Sequence, residues 1–74
     1  MTENTELYAM LAELDERTKI RFLAEYQNKK ERYALSFVNA CYTVYQRSHS
    51  LGISGPIRYY DVLGESVKML CAAN

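Results

Sequence analysis

Apolar residues recur at helical spacing almost from the start of this chain. Leu7, Met10, Leu11 and Leu14 follow the three-, four- and seven-residue steps of one helical face. Asn4 or Thr5 can cap that helix, and Glu6 suits the positive end of its dipole. A second stripe runs through Phe22, Leu23, Tyr26, Tyr33, Phe37, Cys41 and Val44. With each residue advanced by about 100°, it lies roughly a third of a turn away from the first. A straight helix cannot carry both stripes on one core. The offset predicts a break around Asp15 to Thr18, with Asp15 capping the new helix. The i, i+4 pairs Glu13–Arg17 and Asp15–Lys19 pull toward continuity instead.

From Ile20 to Leu51 the stripe stays in phase, which allows one helix of about 30 residues, about 45 Å long. The polar run Gln27-Asn28-Lys29-Lys30-Glu31-Arg32 is where a turn would divide it. Residues 33–45 carry Phe37, Cys41 and Val44 on one side and Leu35, Val38, Tyr42 and Tyr45 on another. A helix apolar over so much of its circumference must be covered from two directions, so this is the central element. Leu51-Gly52-Ile53-Ser54-Gly55-Pro56 is the clear punctuation. Gly52 suits a helix C-terminus and Pro56 the first turn of the next helix. That last helix is expected to bury Ile57, Tyr60, Leu63, Val67 and Leu70, with Arg58, Asp61, Glu65 and Lys68 opposite. The pattern therefore predicts an all-α fold, a compact bundle of three to four helices. Their approximate ranges are 4–15, 17–28, 31–50 and 56–72, with the second and third open to being one. Residues 1–74 are expected to form a single helical domain.

Composition narrows the functional classes. One His, two Cys, three Gly and one Pro leave too little for a metal cage, a phosphate-cradling loop or a catalytic cluster. No catalytic, cofactor-binding or metal-ligating residue is assigned, and an enzyme is not expected. Cys41 and Cys71 each fall among apolar neighbours and are expected to be buried, reduced thiols. His49 is read as a solvated group near a helix C-terminus. The acidic start lacks the basic-then-apolar order of a secretory signal. The uncharged stretch Tyr33 to Gln46 is shorter than the ~20 residues of a membrane span. A soluble, cytoplasmic protein with no membrane partner is the expectation.

Charge is unevenly distributed although the formal total is zero. Residues 1–16 carry net −5, residues 17–58 net +6, and the remainder −1. One reading packs the acidic first helix antiparallel on the basic segment. Another offers Lys29, Lys30 and Arg32, interleaved with Tyr26 and Tyr33, to an acidic partner. The apolar fraction of 49%, with seven Tyr, is high for a chain this short. Such a domain buries only about 60% of its unfolded surface. Surplus apolar surface points to a larger protein partner, or to a homodimer or higher oligomer. Tyrosine also suits interfaces, because its ring buries area while its hydroxyl keeps a wet partner.

The words Gly52-Ile53-Ser54 and Ile57-Arg58-Tyr59-Tyr60-Asp61-x-x-Gly64 resemble the recognition helix of mercury-resistance-type transcription regulators, a winged helix-turn-helix family. The resemblance covers about fourteen residues of the 74. It implies that Arg58, Tyr59 and Tyr60 approach a DNA backbone. The turn is one residue short of the family pattern, the motif lies at the C-terminal end, and no wing or dimerisation helix follows it. Arg47 falls where the general helix-turn-helix pattern wants an apolar residue.

The sequence thus leads to a small non-enzymatic binding protein that regulates or inhibits a larger macromolecule by occupying one of its surfaces. Tyr26, Lys29, Lys30, Arg32 and Tyr33 are the candidate contacts. A helix-turn-helix-like DNA-binding regulator using Arg47, Arg58 and Tyr59 is the alternative. A self-assembling structural helical protein is the second alternative.

Overall fold

A computed structural model of the chain describes residues 2–72. Four helices follow one another: α1 (Thr2–Glu13), α2 (Glu16–Gln27), α3 (Arg32–Ser50) and α4 (Tyr59–Ala72). No strand forms among the described residues, and the radius of gyration is 11.7 Å. A folded chain of this length is expected near about 11 Å.

The predicted break falls at Asp15, which caps α2 in extended backbone conformation. Its Oδ1 accepts from the Thr18 backbone N–H at 2.8 Å and from the Thr18 hydroxyl at 2.5 Å. Its Oδ2 accepts from the backbone N–H of Tyr59 at 3.3 Å, the first residue of α4. One carboxylate thereby satisfies orphan donors at the starts of two helices, which unassisted would have no partner. Backbone bonds lock the same junction. Ile57 donates to the Glu13 carbonyl at 2.8 Å, and Asp15 donates to the Ile57 carbonyl at 2.9 Å, making Leu14 and Ile57 a short parallel bridge.

Between α2 and α3 the chain turns over residues 28–31, so the two helices are separate despite their shared phase. Asn28 donates its backbone N–H to the Glu25 carbonyl at 2.9 Å, and Glu31 donates to the Asn28 carbonyl at 3.0 Å. The polar run carries no apolar side chain that a straight helix could bury, so turning there brings two in-phase stripes onto one core. At the far end of α3, Ile53 donates to the Ser48 carbonyl at 2.9 Å and Gly52 to the His49 carbonyl at 3.2 Å. This 6→1 and 5→2 pairing requires a left-handed residue, and Gly52 takes it with φ of 68°.

The core is one cluster around α3, which buries Ala34, Ser36, Phe37, Val38, Ala40, Cys41 and Val44. Met10 and Leu14 cover it from α1, Phe22 from α2, Val62 from α4 and Ile57 from the link. Phe22 stacks near Tyr26 (5.4 Å between ring centres) and meets Tyr42 edge-on (6.2 Å).

Three expectations need correction. Pro56 does not open α4; the helix starts at Tyr59, because Ile57 is drawn into the core as the partner of Leu14 and is 4% exposed. The inner face of α4 is Val62 and Ser66, with Tyr59 and Met69 packed at its edges, whereas Tyr60 and Val67 point outward at 73% and 51% exposure. Small Ser66 lets α4 lie close on α3, where its hydroxyl meets that of Ser36 at 3.0 Å in the interior. Ser36 already donates to the Tyr33 carbonyl at 2.9 Å, so Ser66 is the donor between them. Turning that face inward turns the more apolar stripe out. Lastly, Cys41 is buried as expected but Cys71 is exposed, and both are free thiols.

Candidate interaction surface

The turn between α2 and α3 gathers the predicted contact residues at one corner of the molecule. Lys29, Lys30, Arg32 and Tyr33 are all exposed there, Tyr33 at 69%. Tyr26, on the last turn of α2, is half-buried against the core, and the Lys29 ammonium rests 4.5 Å from the centre of its ring. The ring's negative face attracts the ammonium, which favours this placement of the Lys29 charge. Lys30 makes no ion pair among the described residues.

Beside this corner an open groove of about 430 Å³ is lined by Glu6, Leu7, Tyr26, Lys29, Leu35, Val38, Asn39 and Tyr42. A second groove, about 250 Å³ and mostly apolar, lies across Leu35 and Asn39, toward Met69 and Leu70 of α4. Leu35, 45% exposed, is therefore a ridge between two grooves with cationic groups on its rim. Sequence reasoning placed Leu35 on a covered face of α3 and so missed it. Its neighbours Ala34, Ser36, Phe37 and Val38 are buried, so Leu35 lies on the one side of this turn that no other helix covers.

Of the described acidic side chains at the start of the chain, Glu6 lines the groove that Lys29 also lines. Glu6 accepts from Gln46 at 3.5 Å and Glu13 meets His49 at 2.8 Å, so α1 crosses α3 in the same sense rather than antiparallel. Asp15 is used in capping, and Glu16 pairs with Lys19 at 3.7 Å. His49 is thus the partner of Glu13, and it also lies 4.4 Å from the Tyr45 ring.

The residues of the DNA-binding alternative are differently placed. Arg47 donates to Glu65 at 2.9 Å, tying α3 to α4. Arg58 is exposed and pairs with Asp61 at 3.4 Å. Tyr59 is half-buried: its hydroxyl accepts from Arg21 at 2.6 Å, and the Arg17 guanidinium covers its ring at 4.0 Å. The α3–α4 link spans eight residues, Leu51 to Arg58, with Ile57 pinned to Leu14. A helix-turn-helix joins its helices by three or four residues. The geometry at this link therefore departs from that motif.

Another concavity, about 560 Å³, is at the other end of α3, where Glu13, Ser48 and His49 face the 52–56 loop. Its ionisable groups are already paired with each other, so it offers less to a partner than the corner does. No group of three His, Cys, Asp or Glu among the described residues is placed to hold a metal ion. Burial pushes the Cys41 thiol up to about 12, against the opposing pull of the Arg21 charge, so it is not an activated nucleophile. No described helix is long and apolar enough to cross a membrane. Comparison with protein-family models, curated proteins and solved structures finds no match to this chain.

Proposed function

We propose that this chain is a small non-enzymatic binding protein that regulates a larger protein by seating the α2–α3 corner on an acidic surface of that partner. The observation that carries the reading is the exposed set of Lys29, Lys30, Tyr33 and Leu35 beside two open grooves. Cations on the rim steer the encounter, while Tyr33 and Leu35 supply the area that water leaves on docking. Tyr33 carries a large ring with few rotatable bonds, so its ordering costs little entropy. The partner surface is expected to carry carboxylates around an apolar centre, matching the corner's arrangement. Occlusion of that surface is the mode of action this reading carries.

The test is capture from extracts of the source cells on the immobilised chain, with K29E/K30E/R32E and Y33A/L35A in parallel. A partner held by the parent chain and lost by both variants, with helix content unchanged by circular dichroism, is the expected result. A partner held equally by all three would place the interface elsewhere. Binding to duplex DNA that collapses between 50 and 200 mM salt would instead favour a nucleic-acid function.

A further inference from the structure

We infer that the outward face of α4 is a homodimer interface in which two copies pack α4 antiparallel about a two-fold axis. The inner face of α4 points at α3 through Val62 and Ser66. The opposite side presents Tyr60, Gly64, Val67 and Cys71, all exposed, in steps of four, three and four residues. That is the seam spacing of a packed helix pair. Leu63 and Leu70 border the seam on one flank, half-buried, and Asp61 and Lys68 border it on the other, exposed.

The occupant follows from how these positions map onto themselves. In an antiparallel two-fold pair each flank meets the same flank of the second copy; facing seam residues have numbers that add to a constant, and flank pairs are staggered with sums two above or two below it. With the axis between Glu65 and Ser66, Tyr60 faces Cys71 of the second copy and Val67 faces Gly64. A large side chain meets a small one at each level. On one flank Leu63 meets Leu70, and on the other Asp61 meets Lys68, twice, with opposite charges. A parallel pair would instead set Asp61 and Lys68 against the leucine flank. The charge and size patterns therefore select the antiparallel arrangement and a copy of this chain as the partner.

Two further observations agree. A Cβ built on Gly64 would have nothing within 4 Å in the isolated chain, so no intrachain neighbour requires the glycine. In mid-helix a glycine costs about 1 kcal/mol against alanine, and the seam supplies a use for the gap. Asp61 accepts from Arg58 through Oδ2 only, leaving Oδ1 for a second donor, and Lys68 has no ion-pair partner among the described residues. The strip offered by a 14-residue helix is about 21 Å long and narrower than a standard interface of about 800 Å² per partner. Association is thus expected to be weak.

Sedimentation equilibrium from 5 to 500 μM at low salt tests this, on the parent chain and on D61K, K68D and D61K/K68D. The parent mass is expected to rise from 8.6 kDa toward twice that value. Each single variant sets two like-charge contacts across the seam and is expected to weaken association at least tenfold. The double variant restores both pairs and is expected within about threefold of the parent. Residues 61 and 68 are about 10.5 Å apart along one helix and do not touch within a chain, so rescue can come only from between copies. G64A adds a separate reading: it should raise the melting temperature of the dilute monomer while weakening association. A parent mass that stays at 8.6 kDa throughout, or a double variant as weak as the singles, overturns the proposal.

Discussion

Replacing Asp15 with alanine removes a carboxylate that serves two helices at once, and the cost can be worked from its contacts. Loss of an N-cap costs about 0.5–2 kcal/mol, and Asp15 provides this for α2 through the Thr18 N–H. The Thr18 hydroxyl, fully buried, would lose its acceptor, which adds about 1–3 kcal/mol for an unsatisfied interior group. The longer bond to the Tyr59 N–H at the start of α4 adds a smaller amount. Together these give about 2–4 kcal/mol, against a total stability of about 4–11 kcal/mol for a chain of this length. In a domain of this size each kcal/mol moves the midpoint by about 4–8 °C, so D15A is expected to melt about 8–32 °C lower. Urea and thermal unfolding followed by circular dichroism at 222 nm measure it. D15N keeps an acceptor and is expected to lose less than half as much. If the orphaned Thr18 hydroxyl is a large share of the cost, D15A/T18V will recover part of the loss, because the buried polar group is then gone. A D15A variant within about 0.5 kcal/mol of the parent would refute the double-cap reasoning. The carboxyl is also held below its ordinary value: the Thr18 hydroxyl bond outweighs desolvation, and the Thr18 and Tyr59 backbone N–H groups and the Arg17 charge add to it. A depressed carboxylate contributes stability that is present above its unfolded value, near 4, and lost as pH falls through the folded one. The parent should therefore lose stability below about pH 4 more steeply than D15N does.

Other expectations follow from the same contacts. Under native conditions at pH 8 a maleimide should label Cys71 and spare Cys41, with both labelled in 6 M guanidinium; equal native rates would contradict the burial of Cys41. S66A is expected to cost only about 1 kcal/mol by urea unfolding, since Ser36 keeps its bond to the Tyr33 carbonyl, whereas S66L should cost about 1–3 kcal/mol or more by wedging α4 from α3. G52A is expected to lose about 1–2 kcal/mol, as alanine at a φ of 68° is strained; an unchanged midpoint would mean that the α3 terminus rearranges at little cost.

Much of the architecture is local and could be read along the chain. The phase jump between Leu14 and Ile20 marks the break, and Asp15 caps α2 by bonding to a residue three positions away. Gly52 ends α3 through bonds spanning three and five residues. Sequence pattern governs such features because every partner lies within a turn or two. The basic corner was legible for the same reason, since residues 26–33 are contiguous.

What tertiary structure alone decided involves partners far apart in the chain. Hydrophobic periodicity states which residues could be buried together, and it is silent on which neighbour will cover them. On α4 the more apolar stripe lost to the face carrying Val62 and Ser66, because a small polar residue with a partner on α3 allows closer packing than a larger apolar one. Asp15 reaches Tyr59 across 44 positions, and Leu14 bridges Ile57, which moved the start of α4 past Pro56. Leu35 became a ridge because the other helices bury Ala34, Ser36, Phe37 and Val38 around it and leave its own side of α3 open. A single strip of sequence determines which helices form and where they stop. Which faces remain for a partner is set by the shapes of the other three helices, and only their packing reveals it.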